Sequence, residues 1–168
     1  MSILSLQELL VNNSNVSNRL SSLTKQVESK DLAMQMAEQG LYFKEYFKKD
    51  GGIILCYVCG LIFDKPITNK SLDTFCHRHK NKTSCWIPKI LALEKSSSSS
   101  SYFSYNNWPF IWISPIDVVE SGFSITDNEV SFVCDVCYVS VDIWEFPFTL
   151  TILKEQHKSY CLSNTDTI

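Results

Sequence analysis

The first half of the chain alternates between helix-like and strand-like patterns of hydrophobic residues. Two runs rich in apolar and aromatic residues, 41–47 and 53–58, predict β-strands with a glycine turn between them. Residues that favour helix ends flank the remaining stretches. The predicted signals are a capping box beginning at Ser5, a cap at Asp31 for a helix over residues 32–39, a stop at Gly40 and a cap at Ser71 for a helix toward His77 and His79.

The second half shows the same order of signals. Ser114 followed by Pro115 predicts a helix start, and Gly122 marks its end. Three alternating or apolar runs predict an antiparallel sheet, and a short C-terminal helix follows. These predicted strands lie at residues 123–125, 130–133 and 139–144, and the helix lies at residues 150–160.

The two halves are separated by six consecutive serines, residues 96–101. A serine run has no apolar face to bury, so it predicts a flexible linker. The predicted modules are residues 1–95 and 102–168. The fold class is therefore α+β, with two small modules that each contain a short antiparallel sheet flanked by helices, and the similar order of signals indicates an internal duplication.

Composition and charge narrow the function classes. The chain has 168 residues, of which 45% are hydrophobic and 20% charged, so it is expected to fold. A net charge of -3 and a pI near 5.6 argue against nucleic-acid binding. There is no secretory signal and no apolar run of about 18 residues, which argues against a membrane protein. We therefore expect an intracellular protein whose cysteines stay reduced.

Six of the seven cysteines and a few histidines have the spacing of zinc ligands. A Cys-x-x-Cys pair directs two thiolates to one point, and Zn²⁺ takes four sulfur or nitrogen ligands in a tetrahedron. Residues 157 and 161 are four apart, so a helix would place both on one face. Four protein ligands leave no position for substrate, so two structural zinc ions are predicted. The ligands would be Cys56, Cys59, His77 or His79 (with His79 slightly favoured) and Cys85, and then Cys134, Cys137, His157 and Cys161.

Two other interpretations of the cysteines were weighed. Cys76, the odd cysteine, is predicted to be a small buried apolar residue. A thioredoxin-like redox site would need a βαβ pattern after its Cys-x-x-Cys, and the sequence has none. No nucleophile, base and orienting group stand together, so we predict that the protein is not an enzyme.

The second half resembles the baculoviral inhibitor-of-apoptosis repeat, or BIR domain. The similar features are an aromatic residue before Trp-Pro, a capped helix ending in Gly-Phe, the strand that enters the metal cysteines, a later tryptophan and a Glu-Gln-His run. They are carried by Tyr105, Trp108, Pro109, Ser114, Gly122, Phe123, residues 130–137, Trp144 and residues 155–157. The sequence departs from the family at Ser101, where an arginine is usual, and in a shorter spacing from His157 to Cys161. The first half resembles a more divergent copy of the same domain. The residues that carry this similarity are 19–23, 36–42 and 59–61.

The resemblance implies a binding function. BIR domains of inhibitors of apoptosis capture the free N-terminus of an Ala-led peptide from a caspase or an antagonist. Such a site needs an acid for the amine, an apolar wall and a strand edge for main-chain pairing. By resemblance, the peptide-binding residues would be Val141, Asp142, Trp144, Glu145 and Gln156. A short tandem without a RING module is the pattern of viral or virus-derived members of the family, which implies a location in the host cytoplasm or, alternatively, in a virion or nucleus. The alternative function is a structural or scaffold component that binds viral structural proteins, with the apolar stretch 108–113 as an interface.

Overall fold

The structure is a computed structural model, and it describes residues 13–45, 51–96, 108, 110–125, 131–142, 149–158 and 161. The chain divides into two compact units, Met1–Trp112 and Ile113–Ile168. Trp108 and Phe110 therefore group with the first unit, although the sequence analysis assigned them to the second module. Of the serine run only Ser96 is described, and it is the last residue of a helix. The other five serines and the capping box at Ser5 lie outside the described residues, so the linker and the first helix stay predictions.

The described part of the first unit contains four helices and one two-stranded sheet. Its described elements are α1 (Val16–Leu23), α2 (Lys30–Glu38), β1 (Leu41–Lys44), β2 (Ile53–Cys56), α3 (Asn69–Lys80) and α4 (Ile87–Ser96). The strands are antiparallel, and Leu41 lies opposite Cys56. Apolar side chains from all six elements form the buried core. Among them are Leu23, Met36, Leu41, Ile54, Phe75 and Ile87.

A buried arginine joins α1 to the end of α2. The Arg19 side chain is 1% exposed, and its Nε donates a hydrogen bond of 2.9 Å to the carbonyl of Ala37. Its Nη1 donates to the carbonyl oxygens of Asn13 and Ser14. The guanidinium also lies 4.8 Å from the ring centroid of Tyr57, a cation–π geometry. A buried charge is tolerated here because backbone carbonyls and an aromatic face replace its hydration.

The described part of the second unit is a three-stranded antiparallel sheet, with one short helix before it and one after it in the chain. Its described elements are α5 (Pro115–Glu120), β3 (Phe123–Ile125), β4 (Ser131–Cys134), β5 (Ser140–Asp142) and α6 (Leu150–Glu155). The strand order is β3-β4-β5. Val118, Phe123, Phe132 and Leu153 are buried and form its core. These elements are only three to six residues long, so this core is small and needs additional stabilisation.

The two units share one backbone register. Each has a helix that is followed by a left-handed glycine, Gly40 with φ 82° and Gly122 with φ 86°. The next residue begins a strand and lies opposite the first cysteine of the Cys-x-x-Cys pair, as Leu41↔Cys56 and as Phe123↔Cys134. The predicted α+β class with small antiparallel sheets is confirmed, and this common register is the feature that the predicted duplication requires.

Several predicted element boundaries were wrong, and each error has a local cause. The α2 helix is capped by the Ser29 hydroxyl, and Asp31 lies in its first turn. The α3 helix is capped by Thr68, and the Ser71 hydroxyl donates to the Pro66 carbonyl. Helix α4 was not predicted, because its sequence carries no N-cap residue and no clear polar face. None of the described helices combines the length and the apolar composition that crossing a bilayer requires.

Gly40 and Gly60 both have a left-handed backbone, but of the two only Gly40 has a neighbouring atom that an added Cβ would overlap. In Gly40→Ala, the new methyl group would overlap the Cδ1 atom of Ile87, whereas in Gly60→Ala it would meet nothing within 4 Å. We expect Gly60→Ala to lower the free energy of unfolding by about 1 kcal/mol through backbone strain alone. We expect Gly40→Ala to cost about 1–3 kcal/mol more, because the core must also shift.

Denaturant unfolding followed by circular dichroism measures both values. Equal losses of stability in Gly40→Ala and Gly60→Ala would show that α4 does not pack on Gly40 as described.

Candidate metal centres

The two Cys-x-x-Cys segments form the same hairpin-end turn. In the first, the Cys56 N–H donates to the carbonyl of Leu61 at 3.0 Å, and the Gly60 N–H donates to the carbonyl of Cys56 at 2.9 Å. In the second, the Cys134 N–H donates to Val139 at 3.0 Å and the Tyr138 N–H donates to Cys134 at 2.9 Å. The matching hydrogen bonds place both thiols of each pair at one end of a sheet. We call each of these turns a knuckle.

The residue after the second cysteine has a left-handed backbone in both knuckles. Gly60 has φ 70°, and Tyr138 has φ 57°. Tyr138 is the one non-glycine residue with positive φ among the described residues, and its side chain is 78% exposed. The left-handed conformation costs a residue with a Cβ atom about 1–2 kcal/mol. The second knuckle therefore carries strain that Gly60 spares the first.

The inner residues of the two knuckles differ. Tyr57, which follows the first cysteine of the first knuckle, is buried. Asp135 has the corresponding place in the second knuckle and is exposed, and its Oδ1 accepts a hydrogen bond of 3.0 Å from the Ser124 hydroxyl. The knuckle backbone thus accommodates an inward aromatic side chain or an outward acid at the same position.

The first centre brings together Cys56, Cys59, His79 and Cys85, whose ligand atoms lie within 4.8 Å of one another. The Sγ atoms of Cys56 and Cys85 are 3.9 Å apart, and the Nε2 atom of His79 is 3.0 Å from the Sγ atom of Cys85. A tetrahedral metal with bonds of about 2.3 Å to sulfur separates its sulfurs by about 3.8 Å. The first centre therefore has the dimensions of a four-ligand metal site.

Helix α3 decides which histidine reaches the first centre. His79 follows Leu72 and Phe75 at spacings of seven and four residues, so the three lie on the buried face of the helix. The His79 ring stacks at 4.9 Å from the Phe75 ring. His77 is exposed and takes no part in the cluster. Cys85 returns to the centre because a turn follows the helix, with its N–H donating to the Lys82 carbonyl at 3.1 Å.

The second centre brings together Cys134, Cys137, His157 and Cys161, all of them buried. The Sγ atoms of Cys134 and Cys161 are 3.6 Å apart. The Nδ1 atom of His157 lies 3.4 Å from the Sγ of Cys161 and 3.7 Å from the Sγ of Cys137. These four atoms also fit a tetrahedral metal.

The pair His157 and Cys161 meets at the second centre without a shared helix. Helix α6 ends at Glu155 and Gln156 is its C-cap, so the prediction of a helix through residue 160 was wrong. A turn in which the Cys161 N–H donates to the Lys158 carbonyl at 2.8 Å brings the thiol back to the ring. The predicted proximity of His157 and Cys161 is present, but a turn produces it and not a helix.

The two histidines present opposite ring nitrogens. His157 faces the sulfurs with Nδ1, and its Nε2–H donates a hydrogen bond of 2.6 Å to the carbonyl of Ser121. This bond fixes the tautomer that leaves Nδ1 free to bind a metal. His79 faces the sulfurs with Nε2, and its buried Nδ1 has no hydrogen-bond partner among the residues that the structure describes. Sequence reasoning missed the role of Ser121, because a backbone carbonyl has no residue signature.

The thiols within each centre differ in pKa. In the first centre, hydrogen bonds from Cys56 and Cys85 lower the pKa of Cys59, while the pKa of Cys56 is raised to about 12 and that of Cys85 is also raised. In the second, burial opposes ionisation of Cys137, but hydrogen bonds from the Lys158 backbone and His157 outweigh it and lower its pKa to about 6. In each centre the hydrogen bonds thus favour ionisation of one thiol, and the thiolate is the form that binds metal.

Cys76 and the described members of the predicted peptide-binding set are not part of either cluster. Cys76 is half-buried, and burial together with the nearby Asp73 carboxylate raises its pKa, so it is a neutral thiol. Val141 is half-buried and Asp142 is exposed, both on β5, and Gln156 is exposed. Trp144 and Glu145 lie outside the described residues. The structure therefore does not test the predicted peptide-binding set as a whole.

Both clusters can bind a metal ion. Each offers three sulfurs and one imidazole nitrogen, a donor set compatible with structural zinc. Because the protein supplies all four ligands, no coordination position is left for water or substrate. A metal ion bound there would join parts of the unit that are distant in the chain.

Replacing His79 should remove one metal ion, whereas replacing His77 should not. We expect His79→Ala to lower the bound metal from two equivalents per chain to one, because the first centre loses a ligand. His77→Ala is the matched control on the same helix and should keep both. Elemental analysis of the purified proteins measures the ratio, and loss of metal in His77→Ala would contradict the assignment.

The strain at Tyr138 gives a second prediction. We expect Tyr138→Gly to raise the free energy of unfolding by about 0.5–1 kcal/mol, since the relief of left-handed strain exceeds the entropy that glycine loses. Tyr138→Ala keeps the strain and should give no gain. Denaturant unfolding of the metal-loaded proteins compares them, and an equal effect of both substitutions would contradict a backbone origin.

No protein-family model, curated protein or solved structure matches this chain. The resemblance to the BIR family therefore stays a prediction from the residues that carry it.

Proposed function

We propose that both centres hold Zn²⁺ as a structural ion. The support is the donor set, since three thiols and an imidazole within 4.8 Å suit a d¹⁰ ion without geometric preference. Seven of the eight ligands are buried, so the bound ion would be shielded from water. Zinc would supply part of the folding energy of each unit and take no part in a reaction.

We further propose that the protein is a BIR-like interaction protein that binds caspases or the antagonists of apoptosis inhibitors. The observation that carries this proposal is the position of β5. In the described part of the second unit, β5 pairs with β4 alone, so its other edge can accept an extended peptide. Asp142 is exposed at the end of this strand, where a carboxylate can receive a peptide amine.

The proposed binding mode combines main-chain pairing with recognition of a charged N-terminus. A peptide that adds to β5 gains backbone hydrogen bonds, which do not depend on its sequence. Specificity for an Ala-led N-terminus would come from Asp142 or Glu145 at the amine and from Trp144 as the apolar wall. Glu145, Trp144 and the flanking Gln156 enter this proposal through the family resemblance.

The alternative function as a viral scaffold has less support. It was predicted from an exposed apolar stretch at residues 108–113, but Trp108, Phe110 and Ile113 are each less than 5% exposed. Trp112 is 53% exposed and is the one side chain of the described stretch that offers a large apolar surface. A single exposed tryptophan is common on protein surfaces and does not form an assembly interface alone.

Peptide binding tests the proposed function directly. We expect saturable binding of a fluorescent Ala-led peptide, measured by polarisation, and a loss of at least about tenfold in affinity in Trp144→Ala. Trp112→Ala is the matched control and should bind as the parent does. An N-acetylated peptide should not bind, because it lacks the amine.

Absence of binding in the metal-loaded parent would overturn the proposal. If such a protein instead formed large assemblies in sedimentation experiments, the scaffold function would take its place.

A further inference from the structure

The two residues that follow ligands of the first centre contact each other. Tyr57 follows Cys56, and Trp86 follows Cys85. Their rings meet edge to face, with centroids 6.3 Å apart and an interplanar angle of 84°. The Tyr57 N–H also donates to the Gly40 carbonyl at 3.0 Å. A metal that joins Cys56 to Cys85 would therefore also fix Tyr57 against Trp86.

Tyr57 extends from the centre to a separate part of the unit. Its hydroxyl donates a buried hydrogen bond of 3.1 Å to the carbonyl of Trp108. Trp108 is 1% exposed, and its indole N–H donates to the Phe110 carbonyl at 3.0 Å. The rings of Trp108, Phe110 and Trp112 form successive edge-to-face contacts. We call Trp108, Phe110 and Trp112 the aromatic segment; all three belong to the first unit.

The first centre holds its ligands less firmly than the second. Cys59 is half-buried, whereas every ligand of the second centre is buried. The His79 ring has no hydrogen bond at Nδ1, whereas the Ser121 carbonyl anchors the ring of His157. Loss of such an anchoring hydrogen bond typically lowers metal affinity about 10- to 100-fold. A chelator or a competing metal-binding protein should therefore remove metal from the first centre before the second, because the first is more accessible and binds metal more weakly.

We infer that the first centre is an exchangeable metal site whose occupancy controls the docking of the aromatic segment. With metal bound, Cys56 and Cys85 hold Tyr57 and Trp86 together, and Tyr57 retains the Trp108 carbonyl. When the metal leaves, the link between Cys56 and Cys85 is lost and Tyr57 no longer has a fixed position. The aromatic segment is then released while the second centre keeps its metal. This inference requires metal at the first centre and does not depend on peptide binding by the second unit.

Graded removal of zinc from the full-length protein tests the order of release. The zinc-loaded protein is titrated with EDTA, the metal count is followed by native mass spectrometry, and accessible thiols are mapped by alkylation. We expect one zinc to leave at about 10- to 100-fold lower chelator concentration than the other. Cys56, Cys59 and Cys85 should become alkylated at that step, before Cys134, Cys137 and Cys161. Simultaneous loss, or earlier loss from the second centre, would overturn the inference.

Amide hydrogen exchange tests the coupling to the aromatic segment. At the one-zinc stage we expect faster exchange at the amides of Phe110 and Trp112, while α1 and α2 keep their protection. Those helices are held by the hydrogen bonds of Arg19 to backbone carbonyls and by buried side chains such as Leu23 and Met36, which are not metal ligands. An equal rise in α1 and α2 would mean that the whole unit unfolds and would overturn a specific release. Unchanged exchange at the segment would overturn it as well.

A hydroxyl deletion separates the docking contact from the metal. Tyr57→Phe removes the hydrogen bond to Trp108 and leaves all four ligands in place. We expect both zinc ions to be retained and the Phe110 amide to exchange about three- to tenfold faster, the factor that corresponds to one hydrogen bond. Tyr138→Phe, which alters an exposed tyrosine of the second unit, is the matched control and should change neither. Unaltered exchange in Tyr57→Phe would show that Tyr57 does not hold the segment.

Discussion

Convergence of four ligands at each centre is the constraint on which the rest of the structure depends. In the second unit, the strands have three or four residues and the helices six, too few to bury the area that a stable domain needs. The metal ligands come from the knuckle and from the end of the unit, so one ion can join the sheet to the last helix. Three thiols within 4.8 Å cannot all ionise without a cation, because their charges repel. The same side chains that would bind metal thus oppose close packing without it.

The repeated register explains how one backbone plan serves both units. A left-handed glycine ends a helix and places the next strand opposite the first cysteine, at Gly40 and at Gly122. The knuckle hydrogen bonds have the same partners by position in both units. The units differ where the chain after the knuckle returns to the metal. The first has a twelve-residue helix and turns His79 Nε2 toward the sulfurs, whereas the second has a six-residue helix and a turn and presents His157 Nδ1.

The sequence predicted the parts of the fold that depend on local signals. The spacing of the cysteines placed both knuckles, and the Ser114-Pro115 pair placed the start of α5. Features that depend on residues distant in the chain were not predictable in this way. The choice between His77 and His79 depends on which face of α3 is buried, the orientation of His157 depends on the Ser121 carbonyl 36 residues away, and the docking of Trp108 depends on Tyr57. Helix α4 also escaped prediction, because packing rather than capping defines it.

The residue that follows the first cysteine has different surroundings in the two knuckles. Tyr57 and Asp135 occupy the same place on the same hydrogen-bonded turn, yet one side chain is buried and the other faces solvent. Neither side chain ligates the metal, so an exchange at this place leaves the coordination chemistry intact. An exchange at this place therefore alters what a knuckle packs against, while the four side chains of its cluster stay the same. Either unit can in this way gain or lose a packing partner without any change to its candidate ion-binding groups.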